Sequence, residues 1–183
     1  MVNWLRNNRI AAALLFFVRI YLGWKWIDAG WHKLTADKWF DASGFLNGAI
    51  NKPVMESGTQ HLQYPHFVEF LKHFALPNVD LFNVMIPIGE FLIGLGLIVG
   101  ALTTTAAFFG MLMNFMFLLA GTVSSNPWFI LFGTVILFAG ANAGKFGADY
   151  YVLPWLRKIA VRVFHRHQKP HTPADPKGLT PAS

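Results

Sequence analysis

Apolar residues in this chain come in long blocks instead of alternating, and four blocks approach or reach the length that a bilayer requires. They span residues 10–31, 81–102, 104–123 and 127–142, with three charged residues in the first, one in the second and none in the others. A hydrocarbon layer of about 30 Å takes about 20 helical residues. Lipid offers the backbone no hydrogen-bond partners, so each block must be a helix. A glycine-containing stretch at residues 100–105 predicts a tight turn between the second and third spans. Ser124-Ser125-Asn126-Pro127 predicts another, with a proline suited to the first turn of the next helix. The expected fold is all-α, an antiparallel four-helix transmembrane bundle over residues 1–155, followed by a basic, largely disordered cytoplasmic tail at 156–183.

The connection at residues 32–80 is too long for a plain turn. Within it Phe67, Phe70, Leu71 and Phe74 fall on one helical face, opposite Glu69, Lys72 and His73. Pro65 and Pro77 bracket that segment, which predicts an amphipathic helix on the outer membrane surface or over the bundle mouth. A weaker amphipathic piece surrounds Trp39, Phe40, Leu46 and Ile50, and Tyr150, Tyr151 and Trp155 suggest an interfacial anchor after the last span. Gly23, Gly30, Gly96, Gly100, Gly110, Gly121, Gly133 and Gly140 recur at helical spacing, the pattern by which membrane helices approach closely. We read it as intramolecular packing in preference to a homodimer face, with homo-oligomers left open.

Composition agrees with this picture. Of 183 residues 54% are hydrophobic and 13% charged, more apolar surface than one water-soluble core of this size hides. Lys and Arg gather at the two ends of the chain, while the 32–80 loop carries four Lys against five acidic residues. This distribution places both termini in the cytoplasm. The net charge of +6 is therefore a topological signal, and nucleic-acid binding is not expected. Arg19, Lys25 and Asp28 interrupt the first apolar block, which argues against a cleaved signal peptide. Cysteine is absent, which excludes disulfides, thiolate metal sites and dithiol chemistry.

Against this background Arg19 and Glu90 are the candidates for chemistry. An ionised group at bilayer depth costs about 2.5–3.5 kcal/mol even on the gentlest scale and normally faces a bundle interior. Counted from the start of its own span, each lies about 14 Å deep, and Asn114 falls near the same level. The expectation is one shared polar site of guanidinium, carboxylate and amide, with a purely structural ion pair as the competing reading. Trp26 shares the Arg19 face and is expected at its wall. Lys25 and Asp28 are read as a topological pair, His66, Glu69 and His73 as a solvated face with no metal, and the methionines of the spans as packing residues.

At these residues the chain resembles the DoxX/DoxD family of small four-span bacterial membrane proteins. Arg19-Ile-Tyr-Leu-Gly23 followed by Gly30-Trp-His-Lys33-Leu34 is similar to the family's first span, and Gly89-Glu90 entering a Gly/Leu-rich helix to its second. Gly144-Lys145-Phe146-Gly147-Ala148-Asp149 looks like the family's fourth-span ending, with Lys for Arg and a shortened approach to Asp149. The similarity covers about residues 10–155 and implies a bacterial plasma-membrane protein linked to thiosulfate:quinone oxidoreductase. Other members are associated with a superoxide dismutase and a sulfurtransferase. On that resemblance the expected function is an integral membrane subunit of a quinone-linked redox system, with catalytic roles for Arg19 and Glu90. Substrate or quinone contacts are expected from Trp26, His32, Lys33, Asn114 and Asp149. Quinone is then the substrate, no covalent cofactor is expected, and the partners are membrane lipid and a soluble or membrane redox protein. A non-catalytic anchor or assembly subunit and a small-solute or ion conductor are the alternatives.

Overall fold

A computed structural model describes residues 1–165. Helix α1 (Val2–Asn7) turns at Asn8 into α2 (Arg9–Leu34). The Asn8 side chain starts α2 by accepting from the backbone N–H groups of Ile10, at 2.7 Å, and Ala11, at 3.3 Å. The loop that follows contains α3 (Ser43–Asn51) and α4 (Pro65–Phe70), the latter running into a π-helical turn at Leu71–Ala75. Then come α5 (Val79–Val99), α6 (Thr103–Leu119) and α7 (Asn126–Ala139), a 3-10 turn at Gly140–Gly144, and α8 (Asp149–His165).

Helices α2, α5, α6 and α7 form the antiparallel bundle. The segments Arg9–Leu34, Val79–Val99 and Asn126–Gly144 are long and apolar enough to cross a membrane, while α6 is apolar but shorter at 17 residues. The expected spans 10–31, 81–102, 104–123 and 127–142 lie within a few residues of these helices. Three stop early at a glycine with positive φ: Gly100 (φ +69°) after α5, Gly121 (φ +85°) just beyond α6, and Gly140 (φ +58°) after α7. The expectation of a disordered tail from residue 156 needs correction. Residues 156–165 continue α8 as a helix, because their apolar positions recur at helical spacing. Residues 166–183 lie outside the described residues.

The most extensive contact among the described residues joins α2 to α5, and small residues set its register. Gly23 lies against Gly94, and Gly30 against Pro87 and Phe91. A Cβ at Gly30 would sit 2.6 Å from the Phe91 nitrogen, and one at Gly94 2.5 Å from the Ile27 nitrogen. The two backbones therefore touch, as close packing in lipid requires. Around this seam Leu15, Leu22, Trp26, Ile93, Leu97, Ala107, Ile136 and Ala143 form the bundle core.

A second core lies at the loop end, where Ala42, Leu46 and Ala49 meet Leu71, Ala75 and Ile86. The outer amphipathic segment is present, but its buried face is Val68, Leu71 and Ala75. Phe67, Phe70 and Phe74 instead stack on one another along its edge, with centroids 6.1 and 5.4 Å apart. The π-helical turn adds a residue to the helical cycle and rotates that face.

Candidate functional site

Arg19 is buried at the end of the bundle where α5 stops and α6 starts. Its guanidinium donates to the Phe146 carbonyl at 3.0 Å and lies over the Phe16 ring at 5.4 Å. Gly100 and Gly147 form its cradle: a Cβ at either would collide with the guanidinium. The Nε and second terminal nitrogen have no acceptor among the described residues. Asp149 supplies the neighbouring opposite charge without a contact ion pair.

Asp149 holds the same junction together. Its carboxylate accepts from the N–H groups of Leu102 at 2.6 Å and Thr103 at 2.9 Å, the unpaired donors at the start of α6. The backbone N–H groups of Ala148 and Asp149 donate to the carbonyls of Val99 and Gly100, at 3.1 and 2.7 Å, at the end of α5. One short segment thus closes two helix ends. It also stabilises Leu102 in a left-handed conformation (φ +52°) that non-glycine residues rarely adopt. Gly144 is needed because a Cβ there would strike the Asp149 side chain. The carboxylate expected to contact a substrate is committed to backbone.

Glu90 belongs to a different site. Its carboxylate accepts a 2.6 Å hydrogen bond from Lys33, whose ammonium also reaches the Ala29 carbonyl at 3.3 Å and the Phe40 ring at 5.7 Å. The Glu90 side chain is 4% exposed and that of Lys33 is 28% exposed, so the pair is buried at one end and open at the other. Both side chains lean toward their own helix N-termini, which brings them together across the Gly30–Pro87 crossing.

The expected Arg19–Glu90 site is therefore not formed. Arg19 lies beside Gly100, ten residues from Glu90 along α5, or about 15 Å at helical rise. Depth counted from each helix start assumed flush ends, but α2 begins about nine residues beyond the level at which α5 stops. Asn114 is buried and, by the packing of Gly96 on Ala106 and Gly89 on Met113, falls at the level of Glu90. Its Oδ1 has no donor among the described residues. Trp26 is packed on Phe129 and faces Gly110. His32 points away from Lys33, 3.2 Å from Asp28 on the exposed face. Asp28 thus pairs with His32, where Lys25 was expected.

A cavity of about 990 Å³ forms a lateral groove between α5 and α6, roofed by the outer segment. Gly89, Ile93 and Gly96 form its floor, Met85, Met113 and Met116 line its sides, and Phe67, Phe70 and Phe74 its rim. Its walls are almost wholly apolar. The sequence suggested packing for the methionines and Gly96, and an outer amphipathic face for the phenylalanines; the available signal was the small residues of α5 facing flexible methionines of α6. The pairing of Lys33 with Glu90 was also missed. In the outer segment Glu69 meets His73 at 2.9 Å and Lys72 at 3.4 Å, and His66 does not join them.

No curated protein and no solved structure matches this chain. The family model of DoxX matches residues 14–124, well over half of the sequence and all of α5 and α6. With its membrane-spanning helices, the chain belongs to the DoxX family.

Proposed function

We propose that this protein is an integral membrane subunit of a quinone-linked redox system and that the α5–α6 groove holds the isoprenoid quinone. The single observation that carries this reading is the groove itself. Its volume lies at the upper end of the range for ligand pockets. Its walls suit a prenyl chain, and it opens sideways, where a bilayer-soluble molecule arrives. The Phe and Met side chains around it can follow a flexible, methyl-branched tail.

Reduction of a quinone takes up two electrons and two protons. In this reading a partner enzyme supplies the electrons, a thiosulfate-oxidising one being the family's precedent. The Glu90–Lys33 pair, open to the aqueous side through Lys33, supplies the proton route. Arg19 is assigned to holding the helix ends and not to the reaction. In this reading the α1 and α8 end is cytoplasmic, which the Lys/Arg distribution supports. Reporters at residue 60 and after α8 should therefore fall on opposite sides, and same-side reporters would overturn the orientation.

The test is extraction of the purified protein in mild detergent, with quantification of retained quinone and phospholipid by mass spectrometry. Gly89→Leu fills the groove floor, where a Cβ would meet only the mobile Met113 side chain at 3.4 Å. The expected result is a stoichiometric quinone in the wild type, lost in Gly89→Leu while retained phospholipid is unchanged. Phospholipid alone in the wild type, or equal quinone in both, would favour a non-catalytic anchor.

A further inference from the structure

Helix α8 leaves the bundle with one side unpartnered. It begins where Asp149 closes the α5–α6 junction, and the element it touches most is the Gly140–Gly144 turn behind it. Val152, Leu156, Ile159 and Val163 recur three or four residues apart and share a face. Ile159 is 37% exposed, Val163 55% and Trp155 60%. Arg157, Lys158 and Arg162 are exposed and lie outside that stripe. Tyr150 and Tyr151 are exposed at the start of the helix.

The surrounding charge is one-sided. Arg6 and Arg9 flank the start of α2, and Lys145 precedes α8. The acidic residue of the α8 region is Asp149, whose two oxygens are already used by the backbone of α6. Nothing else in residues 91–165 carries negative charge. The basic groups of α8 are therefore not neutralised by this stretch of the chain.

We infer that α8 lies in the membrane surface and that its basic edge binds the phosphates of anionic phospholipids. An amphipathic helix with an apolar stripe, aromatic residues at its start and cationic flanks is built for that boundary. Its attachment to the end of a membrane-spanning bundle brings it there without a separate targeting step. A water-soluble acidic partner fits less well, because it would leave Ile159, Val163 and Trp155 in water. The lipid surface satisfies both faces at once.

Two measurements on the full chain test this. The first is reconstitution in bilayers of mixed phosphatidylglycerol and phosphatidylcholine, extraction in mild detergent, and measurement of the two lipids retained. The wild type should enrich phosphatidylglycerol. Replacing Arg157, Lys158 and Arg162 with Gln should return that ratio to near the composition of the bilayer supplied, since each basic side chain at an anionic surface is worth about 1 kcal/mol, a factor of about five in binding. An unchanged ratio would overturn the proposal. The second exploits the absence of native cysteine: Ile159→Cys carries a single nitroxide. Its relaxation should respond to dissolved oxygen more than to an aqueous nickel chelate. Greater response to the chelate, or dipolar broadening from a second copy, would also overturn it.

Discussion

Two buried charges on the α2–α5 seam have opposite surroundings. Arg19 sits in a cradle of backbone and two glycines that leaves no room for a Cβ. Glu90 has a long, flexible partner, is open on one side through Lys33, and belongs to a helix whose next face lines a 990 Å³ groove. The first arrangement is suited to rigidity, since every atom around it has a fixed position. The second can change protonation, partner or occupant without moving a helix. Burial of a charge in a membrane bundle is thus not by itself a sign of chemistry; the space beside it decides.

The largest effect should come from crowding the Arg19 cradle. Gly100→Ala both forces a side chain into a left-handed backbone position and drives its Cβ into the guanidinium. We expect a loss of about 3 kcal/mol or more, read as the unfolding midpoint in detergent. Gly48→Ala, inside α3 where a Cβ meets nothing within 4 Å, is the control and should stabilise by up to about 1 kcal/mol.

Next comes the junction. Asp149→Ala leaves the Leu102 and Thr103 donors unpaired and should cost about 2–3 kcal/mol, with faster hydrogen exchange at the start of α6. A destabilisation confined to α8 would contradict the assignment of Asp149 to both helix ends.

The Glu90 end should respond less. Lys33→Met leaves a carboxylate without its cation, but the open side lets water or a proton compensate, so we expect about 1–2 kcal/mol. The double variant Lys33→Met with Glu90→Leu should recover part of that loss. No recovery would mean that Lys33 and Glu90 act independently.

The smallest effect concerns the turn before α3. The Asp41 carboxylate accepts from the Ser43 hydroxyl at 2.6 Å and the Ser43 N–H at 2.9 Å, which together hold it below the usual carboxylate range. A depressed folded-state pKa contributes stability above the unfolded value and loses it as pH falls through the folded one. Local exchange protection of α3 should therefore weaken on acidification below the ordinary Asp range. Ser43→Ala should move that transition upward in pH; an unmoved transition would remove the role of Ser43.

Much of the fold was legible because lipid leaves an apolar block a single backbone solution. Most of residues 10–31 and 81–102 could only be helices, and the polar Ser124-Ser125 before Asn126-Pro127 could only mark the turn into the next. What failed was register. The small residues held it: Gly23 and Gly30 are seven apart on α2, as are Pro87 and Gly94 on α5. Pairing 23 with 94 and 30 with 87 puts Arg19 beside the end of α5 and Lys33 within reach of Glu90. The 145–149 segment was less legible, since its capping of two helix ends depends on contacts distant in sequence. The groove was least so, because it is made of what neighbouring side chains leave unfilled.

Separation of the two charges is best tested by a double-mutant cycle on unfolding free energy with Arg19→Met and Glu90→Gln. Groups with no shared partner add to within about 0.5 kcal/mol. The cycle should therefore close within that margin, while Lys33→Met with Glu90→Gln should show coupling of about 1 kcal/mol or more. Coupling of that size between Arg19 and Glu90, with additivity at Lys33, would mean that the two buried charges form one site.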